Sequence, residues 1–183
     1  MAGAKAAGPP RPARAHRSTT GVESAFTHPN LGIMAVDTPD KLLVACASCG
    51  TANRVPAARL GDDPKCGKCG ASILDGKPAA LDDASFDPFL ARNDLPVVVD
   101  FWADWCGPCH AMAPAFERAA GELKTSVRFA KLDTERAQGV AGRFGIRSIP
   151  TLILFRGGRE SARVSGAMDA RSISGWLSQQ LGR

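Results

Sequence analysis

Six cysteines, arranged as the Cys-x-x-Cys pairs Cys46/Cys49, Cys66/Cys69 and Cys106/Cys109, constrain this chain more than any other feature. An even cysteine count in a secreted chain reads as a disulfide framework. The N-terminus has no apolar core of ~7–15 residues followed by a small-residue cleavage site, so a reducing, cytoplasmic compartment is expected instead. There, paired cysteines bind metal or do redox work. The first two pairs lie 16 residues apart, within the ~15–20 spacing of a four-thiolate zinc site. The third stands alone, 36 residues further on.

The 183 residues suit one ordinary domain with a small companion. Residues 1–33 are rich in Ala, Pro, Gly and Arg without a hydrophobic period, so a disordered basic tail is expected. A transit peptide is an alternative for this segment, although Pro9, Pro10 and Pro12 would break its helix; Met34 is an alternative start. Residues 34–78 read as a zinc-binding module too short to fold on apolar burial alone, ended by the turn-forming Asp75-Gly76-Lys77-Pro78. More than half of the net charge of +5 sits in the tail, and no aromatic-and-basic stripe follows it. No nucleic-acid partner is expected. No run approaches ~18 consecutive apolar residues, so no membrane span is expected either.

Residues 79–183 alternate helical and strand patterns. A short helix over 84–92 precedes the nearly continuous apolar run 95–102, which reads as a strand buried on both faces. A helix over 107–124, a strand over 127–132 and a helix over 135–144 follow. Residues 151–155 and 161–164 then form a hairpin around Gly157-Gly158, and an amphipathic helix over 170–181 closes the chain. This order predicts an α/β fold with a mixed central sheet flanked by helices.

Trp105-Cys106-Gly107-Pro108-Cys109 falls where the buried strand hands over to a helix. Cys106 then precedes the unpaired N–H groups of a helix N-terminus, which favour an anion. Stabilisation of about 1.4 kcal/mol there would raise the thiolate fraction at neutral pH from roughly 3% to roughly 24%. Cys109, one turn on, is placed to resolve a mixed disulfide and is expected to be the more buried thiol. Gly107 and Pro108 shape the turn. A third metal knuckle or a static disulfide is the competing reading, but spare ligands are few: His110 is the only histidine after residue 33.

Residues 98–103 (Val-Val-Asp-Phe-Trp-Ala), the motif itself and residues 144–151 (Phe-Gly-Ile-Arg-Ser-Ile-Pro-Thr) resemble the thioredoxin family. With the preceding cysteine module, residues 42–183 resemble its zinc-containing thioredoxin-2 type. The resemblance implies a thioredoxin fold with a small N-terminal zinc-ribbon-like module. It also implies reduction of disulfide-containing protein substrates, recharging by an NADPH-dependent thioredoxin reductase and no bound organic cofactor. Asp100 matches the buried carboxylate that assists proton transfer at the resolving thiol, and Lys131 the lysine beside it; a merely solvated edge lysine is the alternative for Lys131. Pro150 matches the family's cis-proline, and Trp105, Ile149 and Gly166 fall in its substrate groove. Trp102 and Gly158 match the surround of the active site, and Pro114 a helix-kinking proline. His110 stands where Lys or Arg is common, replacing a permanently charged side chain with an imidazole. Asp104 adds a negative charge that opposes thiolate formation at Cys106.

Cys46, Cys49, Cys66 and Cys69 make one complete structural Zn2+ site per chain, since four thiolates leave no open coordination position. Gly50 and Gly70 follow the two pairs and are expected to turn the backbone so that N–H groups face the sulfurs. A monomer is the default expectation. Two alternative functions follow from the same residues: a disulfide oxidase or isomerase, against which Gly107-Pro108 argues, and a zinc-dependent binding or holdase module whose dithiol is a sensor.

Overall fold

The computed structural model describes Gly8 and residues 40–182, so the predicted tail over 1–33 lies, Gly8 apart, outside the described residues. Residues 40–182 belong to one compact unit. It begins with two short antiparallel strands, β1 (Lys41–Ala45) and β2 (Ala52–Pro56), paired from Lys41↔Pro56 to Ala45↔Ala52. They carry a small apolar core of Val44, Val55, Leu60, Ile73 and Leu74 around Cys46 and Cys66.

The remaining elements are β3 (Ala79–Leu81), α1 (Phe86–Ala91), β4 (Val97–Trp102), α2 (Gly107–Leu123), β5 (Arg128–Asp133), α3 (Gln138–Arg143), β6 (Thr151–Arg156), β7 (Arg159–Ser165) and α4 (Ala170–Leu181). The sheet order is β3-β5-β4-β6-β7. β3 and β4 run parallel to β5, whereas β6 is antiparallel to both β4 and β7, so the sheet is mixed as expected. Its alternating side chains feed two cores. Val97, Val99 and Phe101 of β4 join Phe86, Phe89 and Val140 on one face. Val98 joins Met112, Phe116, Ile173 and Leu177 on the other, beneath α2 and α4. Asp100 follows Val98 at a spacing of two, which puts it on the α2 side.

Every element foreseen after residue 81 is present, with no end displaced by more than three residues. The strand expected from Leu95 starts at Val97, because Pro96 has no N–H to donate to a ladder. The helix expected from Glu135 starts at Gln138, because the Asp133 side chain takes the Glu135 N–H at 2.9 Å and holds a turn there. β3 was not foreseen: three residues show no periodicity, and only pairing with β5 defines it.

The connector over 75–78 is packed rather than free. Gly76 has φ +75°, and a Cβ on it would lie 2.9 Å from the Gly121 Cα of α2. Glycine answers both demands, a left-handed backbone and a close approach.

β1 is held against the α/β residues by a polar seam. Asp94 donates its N–H to the Leu43 carbonyl at 2.9 Å and accepts the Leu43 N–H on its carboxylate at 2.6 Å. Buried Asn93 accepts the Ala45 N–H at 3.1 Å and donates to the Phe89 carbonyl at 2.7 Å. Arg128 donates to the Ala45 and Ile73 carbonyls at 3.3 and 2.8 Å. Side chains thus satisfy a strand edge that would otherwise be left unpaired.

Candidate functional site

β4 ends at Trp102, a short turn follows, and α2 begins at Gly107 with Cys106 as its N-cap. Cys106 has extended backbone geometry, and the Cys109 N–H points at its sulfur at 3.2 Å. A sulfur in the N-cap position receives the helix's free donor as a capping oxygen would. Pro108 occupies the first turn, where its missing N–H costs nothing. Cys106 and Cys109 are joined by a disulfide, with Cα atoms 5.3 Å apart. The expected contrast in burial is not found in this form: Cys106 is 3% exposed and Cys109 2%.

Trp105 is 69% exposed and is the one large apolar side chain left uncovered among the described residues. Its Nε1 donates to Glu135 at 2.7 Å. A groove of ≈ 480 Å³ is lined by Trp105, Cys106, Pro108, Ile146, Arg147 and Ile149, among others. The Ile149–Pro150 peptide bond is cis, and the Pro150 carbonyl accepts the Gly166 N–H at 2.9 Å. Gly166 therefore braces the proline loop from β7.

Asp100 is 5% exposed, and its Oδ1 has no hydrogen-bond partner among the described residues. Burial pushes its pKa up to about 7, and the charge of Lys131 only partly opposes this. Lys131 faces Asp100 across the β4–β5 register but is itself exposed, its Nζ 5.7 Å from the Trp102 ring centroid. The two act through space rather than as an ion pair. His110 Nε2 lies 2.7 Å from the Asp104 carbonyl, with its ring edge-on to Trp102.

The four remaining cysteines converge. Cys46 and Cys69 sulfurs are 3.6 Å apart, Cys49 and Cys66 sulfurs 3.7 Å, and all four lie within 4.8 Å of one another. A tetrahedron with bonds of about 2.3 Å has edges of about 3.8 Å, so the set fits one zinc-sized ion. The two halves share one local design. The Gly50 and Gly70 N–H groups donate at 2.9 Å to the Cys46 and Cys66 carbonyls, and both glycines have positive φ. The glycines thus turn the backbone as expected, their own N–H groups going to carbonyls. The N–H groups that favour the thiolates come from Thr51 and Ala71, one residue later, and from Lys68 and Cys69.

These thiols do not ionise alike. Backbone N–H groups of Cys69 and Lys68 bring Cys66 down to about 6. The Ala71 N–H favours the Cys69 thiolate, yet the neighbouring sulfurs of Cys49 and Cys46 and burial together push it up to about 12. Four thiolates this close require a cation to be present together.

Sequence reasoning missed three residues here. Asn53 accepts the Gly67 N–H at 3.0 Å and directs its Nδ2 toward the Cys66 sulfur at 3.7 Å, tying β2 to the second cysteine pair. Asn93 and Arg128 hold the seam. The available signals were faint: an Asn in a short strand, and an Arg within the apolar run 127–130.

Comparison with known proteins agrees with this geometry. Residues 77–179 match the family model for thioredoxin, and residues 45–71 match the zinc-ribbon model described as thioredoxin 2, N-terminal. The chain is 44% identical over 140 residues to thioredoxin C-3 of Corynebacterium nephridii, spanning 76% of this chain and 96% of that one. It is 36% identical to the chloroplastic M-type thioredoxin of Chlamydomonas reinhardtii, over 65% of this chain and 87% of the relative. Among solved structures, a variant thioredoxin of Halobacterium salinarum superposes with a TM-score of 0.53 at 31% identity, covering 57% of this chain and 91% of that one.

Proposed function

This chain belongs to the thioredoxin family of thiol–disulfide oxidoreductases, and we propose that it reduces protein disulfides through Cys106 and Cys109, with Cys106 as the attacking sulfur. The observation that carries this assignment is the position of Cys106 as the N-cap of α2, its sulfur facing the Cys109 N–H.

In the reduced protein, the Cys106 thiolate attacks one sulfur of the target disulfide. A mixed disulfide forms, and the other target sulfur leaves as a thiolate that takes up a proton. Cys109 then loses its proton and attacks the Cys106 sulfur. The Cys106–Cys109 disulfide forms and the second target thiol departs, so two electrons have passed to the target. Asp100, its pKa near neutrality and its side chain on the α2 side of the sheet, is the acceptor for the Cys109 proton, and Lys131 tempers its charge. Gly107 and Pro108 hold the dithiol turn. Trp105 and Ile149 line the groove in which an extended target segment lies, and Gly166 holds the Pro150 carbonyl next to Ile149.

An NADPH-dependent thioredoxin reductase returns the electrons, and the protein works as a cytoplasmic monomer. No helix among the described residues is long and apolar enough to cross a membrane. Residues 34–78 form the metal module and 79–183 the redox domain. Cys46, Cys49, Cys66 and Cys69 hold one structural Zn2+, a reading supported by their mutual spacing and by the zinc-ribbon match. When bound, zinc supplies crosslinking of the module and no redox chemistry.

NADPH-coupled reduction of insulin disulfides, with thioredoxin reductase present, tests this reading. Turnover that disappears in Cys106→Ser and persists in Cys46→Ser is the expected result. No turnover from zinc-loaded, folded protein, or full turnover from Cys106→Ser, would overturn it.

A further inference from the structure

Arg128 is the first residue of β5 and is only 4% exposed. Its guanidinium has no carboxylate within ion-pair distance among the described residues, and its Nε has no hydrogen-bond partner there. Its two terminal nitrogens donate to neutral carbonyls of the cysteine module, Ile73 at 2.8 Å and Ala45 at 3.3 Å, and Ala45 immediately precedes Cys46. The Phe89 ring, 5.7 Å away, covers another side. Arginine is always charged at neutral pH, and a buried charge needs an opposite one. Carbonyl dipoles, a ring face and the charge of Asp75, which acts on it from beyond ion-pair distance, offset this only in part.

Four neutral thiols offer no opposite charge. Four thiolates around a divalent cation do, because the assembly as a whole is anionic. We propose that Arg128 is the counter-charge of the metal-bound four-cysteine cluster, so that metal occupancy and seating of the module on β5 reinforce each other.

The arrangement suits arginine specifically. Its planar fork reaches two carbonyls at once, one beside Cys46 and one in the module's core. Coupling of this kind is reciprocal. If the metal-bound cluster favours Arg128 in its buried position, Arg128 must raise the affinity for metal by the same factor. The inference rests on the zinc reading above and adds to it a residue 59 positions beyond the last ligand.

The test uses the full chain with Arg128→Met, which keeps volume and removes charge, and Arg128→Lys, which keeps charge and loses the fork. Zinc affinity is read by competition with a chromophoric chelator at pH 7.5, and thermal melting is followed in zinc-loaded and chelator-stripped protein. A partner of ligand residues is worth roughly 10–100-fold in metal affinity, so Arg128→Met should weaken zinc by that factor. Arg128→Lys should stay within roughly threefold of the parent, well short of that loss. The Met variant should melt lower than the parent only when zinc is loaded. Unchanged zinc affinity in Arg128→Met would overturn the proposal. Equal losses of melting temperature with and without zinc would do so too, by making Arg128 a mere anchor. If stripped Arg128→Met does not fold, the affinity of Arg128→Gln decides. A value matching Arg128→Lys overturns the proposal, and one well below it supports it. Absence of zinc from the parent protein would instead defeat the zinc reading itself.

Discussion

Two kinds of Cys-x-x-Cys site occur in one small protein, and their spacing is identical. At Cys46/Cys49 and Cys66/Cys69 the chain turns back after the second cysteine through a positive-φ glycine, and each pair presents both sulfurs to the other pair. At Cys106/Cys109 the chain instead runs on into a 17-residue helix, so the two sulfurs meet only each other. The residues after the motif decide the chemistry: Gly-Thr and Gly-Ala permit the turn, whereas His-Ala-Met continues the helix. One arrangement gathers four sulfurs within 4.8 Å of one another, a set that fits a single metal ion. The other leaves a choice between dithiol and disulfide to be settled by exchange with a target.

The largest test of this contrast is Cys46→Ser. Four-thiolate zinc contributes on the order of 10 kcal/mol or more to folding a small module. The variant should therefore lose its zinc and the cooperative melting of the module, measured by metal analysis and calorimetry. Its Cys106 should still reduce insulin within about tenfold of the parent, because the helix N-cap is built from residues 103–110 alone. Loss of both properties together would break the comparison.

Asp100→Asn comes next. The folded-state pKa of Asp100 lies above its unfolded value of 3.8, so folding favours the protonated form. That contribution to stability is fully present below about pH 4, fades as pH rises and is gone above about pH 7. The neutral variant should gain nothing over the parent at pH 4 and at most about 4 kcal/mol above pH 7, by urea melts across that range. Its resolution step should slow, and the parental rise in rate through pH 7 should flatten.

Asn53→Ala should weaken zinc by roughly 10–100-fold while leaving insulin reduction unchanged, since it removes the amide beside the Cys66 sulfur and nothing near α2. Trp105→Ala is the smallest in stability. An exposed ring with one hydrogen bond to Glu135 contributes about 1 kcal/mol or less, yet KM for protein disulfides should rise severalfold with zinc affinity unmoved.

The helices and long strands were legible because their side chains repeat at the period of the element, as Met112, Phe116 and Ala120 do along α2. β3 was not, since three residues carry no period. The similar burial of Cys106 and Cys109 was not either, because side-chain exposure depends on packing from elsewhere in the chain.

What the sequence by itself determined is the chemistry of each cysteine pair. The hydrogen bonds that make a knuckle or an N-cap span three to five residues, such as Gly50 to Cys46 and His110 to Cys106, and a local sequence specifies local bonds. Only the tertiary structure decided what surrounds those sulfurs. Asn93 reaches Ala45 across 48 positions and Arg128 reaches it across 83, while Asp100 draws its raised pKa from the elements packed over it. Burial and charge compensation belong to residues that meet only when the chain has folded, and no spacing along the chain records such a meeting.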